Sequence, residues 1–116
     1  MGEPLFHLAD RGEWLAAVET GEYRVSTRGM TLAEQGYIHC SLRHQLRDVA
    51  EQFYADAEDL VVLVIDPARV PVPIRYEPPV PGAEEFPHVY GPLPVAAVSR
   101  VIPVSREGDD RFVLPG

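Results

Sequence analysis

A chain of 116 residues, 46% hydrophobic and 24% charged, has the size and make-up of one globular domain that needs no staple of disulfide or metal. The formal net charge of −8 excludes binding along the phosphate backbone of a long nucleic acid as its main task. No run approaches the roughly 18 apolar residues of a membrane-spanning helix, so no membrane partner is expected.

Leu5-Phe6-His7-Leu8 predicts a short first strand. Asp10, with Glu13 three residues on, forms a capping-box pattern before a helix that carries Trp14, Leu15 and Val18 on one side and stops at Gly21. Tyr23 to Ser26 predicts a second strand, and Thr31 to Glu34 one capped helical turn ended by Gly36. Tyr37-Ile38-His39-Cys40 predicts a strand whose end, Ser41, caps the next helix. That helix is the clearest element, because Leu42, Leu46, Val49, Ala50, Phe53 and Tyr54 fall on one apolar stripe.

Leu60 to Ile65 is apolar without alternation, the mark of a central strand buried on both faces. Asp66-Pro67 ends it in a turn. Ile74 to Glu77 alternates and predicts a half-exposed strand, followed by a proline-rich loop from Pro78 to Glu85. Phe86 to Gly91 follows, then a short turn from Pro94 to Ala97 and a last strand over Arg100 to Val104, placed near an edge by Pro103. From Glu107 onward the chain reads as a loose tail.

Cys40 is the only cysteine, so no intrachain disulfide can form. All ten basic residues are arginine, which removes lysine Schiff-base chemistry. The N-terminus lacks the basic and apolar regions of a signal peptide, and the expectation is a cytoplasmic protein. Chemistry therefore centres on the histidines. His7, His39 and His88 lie in or beside strands, whereas His44 is out of phase with the apolar stripe and reads as a solvated surface residue. Side chains alternate along a strand, so Ile38 and Cys40 face the core while Tyr37 and His39 face a cleft. The same parity groups His88 with Phe86 and Tyr90. Glu77 shares a face with Arg75, either as a surface ion pair or as a carboxylate and cation on a cleft wall.

Other chemistries fit less well. His-Glu-x-x-His and Cys-x-x-Cys spacings are absent, and no metal ligand set is assigned. Cys40 and His39 are strand neighbours pointing to opposite faces, so they form no dyad. There is no nucleophile elbow, phosphate loop or dinucleotide glycine pattern.

The motifs Gly36-Tyr37-Ile38-His39-Cys40-Ser41 and Phe86-Pro87-His88-Val89-Tyr90-Gly91-Pro92-Leu93-Pro94 are the specific part of a wider resemblance. A first strand ending in a histidine, an Asp-Pro turn after an apolar strand and an aromatic-Glu-Pro segment complete it. Together, from about Leu5 to Val104, they resemble the bacterial domain-of-unknown-function family 952, which is similar in fold to the ADP-ribosyltransferases. The resemblance implies an α+β domain over residues 1–106, with a split mixed or antiparallel sheet, small flanking helices and a cleft, and a flexible tail over residues 107–116.

In such enzymes the cleft holds NAD, a first-strand histidine contacts a ribose, an aromatic covers the nicotinamide and a late carboxylate orients the ribose. On this chain the resemblance places His7 at the first position, Tyr37 or Tyr90 as the aromatic and Glu77 or Glu85 as the carboxylate. Ser41 and Arg75 join the ligand contacts, and His39 and His88 are candidates for acid–base work beside Glu77. The expected partner is a small molecule or nucleotide, with NAD a candidate cofactor. The readings in play are a transferase, a non-catalytic nucleotide- or anion-binding module, and a structural domain with core histidines. No oligomeric state is assigned.

Overall fold

The computed structural model describes residues 3–108 and 111–114. Strand β1 (Leu5–Asp10) leads directly into helix α1 (Arg11–Thr20). Asp10 caps that helix by accepting hydrogen bonds from the backbone N–H groups of Gly12 and Glu13, and Gly21 ends it in the left-handed conformation. The helix buries a narrow stripe, Trp14 and Ala17; Leu15 and Val18, expected on the inner side, lie on the flank and are exposed. The expected second strand is divided into β2 (Glu22–Tyr23), which pairs with β9 (Leu93–Pro94), and β3 (Val25–Thr27), which pairs with β4 (Met30–Thr31).

Helix α2 (Leu32–Gln35) is the single turn foreseen, with a reciprocal capping box between Thr31 and Glu34 and Gly36 at φ 95°. After β5 (Ile38–His39), a 3-10 turn over Arg43–Gln45 runs into helix α3 (Leu46–Phe53). Ser41 does not cap it. The helical segment starts a residue later, at Leu42, whose N–H donates to the Gln45 side chain, and the Ser41 main chain is engaged elsewhere.

Strands β6 (Leu60–Ile65), β7 (Ile74–Glu77), β8 (Phe86–Val89) and β10 (Val98–Pro103) complete two three-stranded antiparallel sheets. Their orders are β1-β6-β10 and β5-β8-β7. The sheets meet where Phe6 and Ser41 exchange backbone hydrogen bonds of 2.8 and 2.7 Å. This α+β architecture of antiparallel sheets and small helices is the expected one, and every pairing among the described residues is antiparallel.

Parity explains the core. On β6, Val61, Leu63 and Ile65 point to one side, with Leu5 and Ala9 of β1, Ile38, Val89 and the α1 stripe. Leu60 and Val62 point to the other, with Phe6, Leu8 and the α3 residues Leu46, Val49 and Ala50. Each such side chain contributes roughly 1.5–3 kcal/mol by leaving water, which is why β6 shows no alternation.

The C-terminal segment departs from the loose tail expected from Glu107. Strand β11 (Ser105–Arg106) pairs with β12 (Phe112–Val113), and Phe112 is buried in the second core cluster beneath the Arg106 guanidinium. Phe112 in its apolar socket, the strand pairing and the Arg47 bond to the Phe112 carbonyl together dock the segment. The remainder of that expectation, residues 109–110 and 115–116, lies outside the described residues.

Candidate functional site

The register of the second sheet builds the site. His39 lies opposite His88, His88 opposite Arg75, and Phe86 opposite Glu77. Directly paired residues share a face, so Arg75, Glu77, Phe86, His88 and His39 project together, while Ile38, Cys40 and Val89 fill the core behind them. Within strands this is the division that alternation predicts.

The rings pack closely. Tyr37 stacks on His88 with centroids 3.9 Å apart and planes 14° from parallel. His39 lies 5.0 Å from Phe86 and 5.4 Å from His88, and Tyr37 lies 5.5 Å from Tyr90. His88 Nδ1–H donates to Glu77 Oε1 at 3.0 Å, and the Tyr90 hydroxyl donates to the same oxygen. Those two donors, Tyr90 first and His88 second, hold the Glu77 carboxyl below the usual carboxylate range. His88 Nε2 is buried and has no hydrogen-bond partner among the described residues. The Arg75 guanidinium lies 5.1 Å from the Tyr90 ring centroid, at the exposed edge of the cluster.

Beside this cluster is a cavity of about 420 Å³. Tyr37, His39 and Phe86 form its sheet wall, Ser26 and Thr27 of β3 another, α3 contributes Asp48, Gln52 and Phe53, and the loop 79–83 closes it. His39 is pushed down to about 4, chiefly by burial and further by His7 and His88, so it is neutral at pH 7. Ser26 is fully buried, and its Oγ has no hydrogen-bond partner among the described residues. An unpaired buried hydroxyl in a cavity wall is costly unless a ligand or solvent meets it.

His7 does not open onto this cavity. It shares parity with Leu5 and Ala9, so it lies in the core behind β5, 2% exposed. Its Nδ1–H donates to the His39 carbonyl at 2.7 Å, and its Nε2 accepts from the Tyr23 hydroxyl at 2.9 Å. Burial pushes it down to about 4. Both nitrogens are occupied, so the ribose contact assigned to His7 has no free group to make it; His7 instead fixes the backbone that carries His39.

Ser41 is likewise buried at the junction with β1 and is not among the cavity residues, which corrects its place among the ligand contacts. Glu85, the alternative late carboxylate, is exposed and engaged through its backbone carbonyl by Gln45. His44 is exposed and paired with Glu84 at 2.6 Å. The sequence reading passed over Ser26, Asp48 and Gln52. Phe53 was visible as the stripe residue left at the helix margin.

A split antiparallel sheet with small helices, and a ring cluster beside a cavity, define the class. Within it the chain belongs to the family described as "Protein of unknown function (DUF952)", whose model matches residues 8–101. The crystal structure of protein CC0527 from Caulobacter crescentus is similar, at 25% identity and TM-score 0.81, covering 95% of this chain and 93% of that one. The solution NMR structure of CC0527 gives 28% identity and TM-score 0.74 over 93% and 90% of the two chains. No curated protein matches the chain.

Proposed function

We propose that this chain binds a nucleotide-type small molecule, taking its planar ring into the His39 cavity. The observation that carries the reading is a cavity walled on one side by the Tyr37, His39 and Phe86 rings and lined elsewhere by polar Thr27, Gln35 and Gln52. A volume of about 420 Å³ is in the range of small-molecule pockets. The lining suits a flat ring with polar edges: aromatic surfaces for stacking, and Thr27, Gln52 and His39 for donors and acceptors. Neutral His39 and the Asp48 carboxylate disfavour an anion inside. Phosphates therefore stay at the rim, where Arg75 is the cation on the same sheet face.

A second reading is ADP-ribosyltransferase-like turnover of NAD, favoured by one feature. Glu77, held by His88 and Tyr90 and aligned with Phe86 at the cavity edge, can stabilise positive charge developing on a ribose. Isothermal titration with NAD, ADP-ribose, AMP, adenosine and nicotinamide tests both readings. Binding by at least one, lost in Ala83→Trp, which fills the cavity from the loop, supports the first. No heat from any at millimolar concentration refutes it. Release of nicotinamide from NAD that stops in Glu77→Gln supports the second, and its absence with binding intact rejects it.

A further inference from the structure

A second hollow, about 710 Å³, lies against the other face of β1, where Phe6 rather than His7 points. Phe6, Leu42 and Leu46 give it an apolar floor, and Arg43 and Arg47 stand at its sides. Three other arginines are neutralised at close range: Arg11 and Arg24 meet carboxylates at 2.8 and 2.6 Å, and Arg28 is paired with Asp56. Arg43 has no carboxylate partner among the described residues. Its guanidinium lies 4.8 Å from the Phe6 ring centroid, which uses a face of the group and leaves its N–H edges available. Arg47 reaches Glu51 only at 3.7 Å and donates one Nη2 bond to the Phe112 carbonyl at 3.2 Å. Nη1, the atom nearest Glu51, is buried and makes no hydrogen bond among the described residues, while the rest of the side chain is part-exposed along the hollow. Among the described residues, acidic neighbours include Glu3, also on the wall, Glu51 beside Arg47, and Glu84, which is held by His44.

Two guanidinium groups beside one apolar hollow, that of Arg43 without a carboxylate partner among the described residues, in a chain of net charge −8, form a local cationic wall against the global field. We propose that this cavity binds a small organic oxyanion carried on an apolar body, the carboxylate or phosphate on Arg43 and Arg47 and the body on Phe6, Leu42 and Leu46. The site is separate from the His39 cavity and stands whether or not that cavity takes a nucleotide.

Amide NMR titration of the full chain with phenyl phosphate, octanoate, octanamide and inorganic phosphate tests it. The expected result is saturable shifts over residues 42–47 with phenyl phosphate or octanoate, the stronger of the two naming the headgroup. Affinity should fall about tenfold in Arg43→Gln, as for loss of one charge-assisted contact, and weaken with added salt. Arg43 carries no ion pair among the described residues, so this variant loses only the contact with the Phe6 ring and its melting temperature should fall by no more than a few degrees. Arg47→Gln should weaken binding in the same way. Absence of shifts there with both organic anions overturns the proposal. So does octanamide binding as well as octanoate, or inorganic phosphate binding as well as phenyl phosphate, since either removes one half of the recognition.

Discussion

Acid should unfold this protein partly through His7, which gives the core a measurable signature. A histidine whose folded value is about 4 resists protonation in the folded state, while in the unfolded chain it takes a proton below about 6.5. The unfolded state therefore binds more protons between those values. The stabilisation from neutral His7 is fully present above the unfolded pKa and is lost as pH falls toward the folded one. The gap is worth about 3 kcal/mol in full, of which roughly 2 kcal/mol has gone by about pH 4.5. Carboxylates held low, such as Glu77, Glu84 and Asp56, push in the same direction at the acid end, so the wild type alone does not isolate the effect.

His7→Gln does isolate it, because glutamine can still donate to the His39 carbonyl and accept from Tyr23 without titrating. Urea unfolding at neutral pH should show the variant destabilised by about 1–3 kcal/mol, the range for disturbing a buried hydrogen bond. On moving to about pH 4.5 the wild type should lose roughly 2 kcal/mol more than the variant, a difference of roughly 1–2 M in urea midpoint. Equal losses would refute the placement of His7 as a buried neutral group.

Other consequences are as direct. Ser26→Ala removes a buried hydroxyl that has no hydrogen-bond partner among the described residues, so the protein should be as stable as wild type or slightly more so in thermal melts. Leu63→Ala, at a fully buried position on β6, should cost about 2–5 kcal/mol by chemical denaturation. Gly36→Ala should cost about 1 kcal/mol from the left-handed backbone alone, since an added Cβ meets nothing within 4 Å, and its melting temperature should fall by a few degrees.

What the sequence made legible was local. Alternation along Tyr37–Cys40 sorted core from cleft, the unbroken apolar run of Leu60–Ile65 marked the strand covered on both sides, and the Thr31–Glu34 pair announced a one-turn helix. What stayed hidden depends on which distant segment each strand meets. Tyr23 pairs with Leu93 and Val25 with Thr31, so one apparent strand serves two partners. Only the register of β5, β8 and β7 brings His39, His88 and Arg75 into a row.

His7 was expected from the sequence to contact a ribose in the cleft. Its face, however, is decided by β6 covering Leu5 and Ala9, and that carries it inward to Tyr23. Ser26 gave no signal, because a serine at a strand end is ordinary until the space beside its hydroxyl is known. In the same way α1 showed three apolar residues, but only the Trp14–Ala17 stripe found a surface to cover.

A crystal structure of the protein soaked with NAD and, separately, with adenosine puts the cavity to the sharpest test. Density is expected for a flat ring against Tyr37, His39 and Phe86, with a polar atom of that ring within hydrogen-bonding distance of His39 or the Gln52 side chain. Ordered water alone in that space, at ligand concentrations well into the millimolar range, would contradict it.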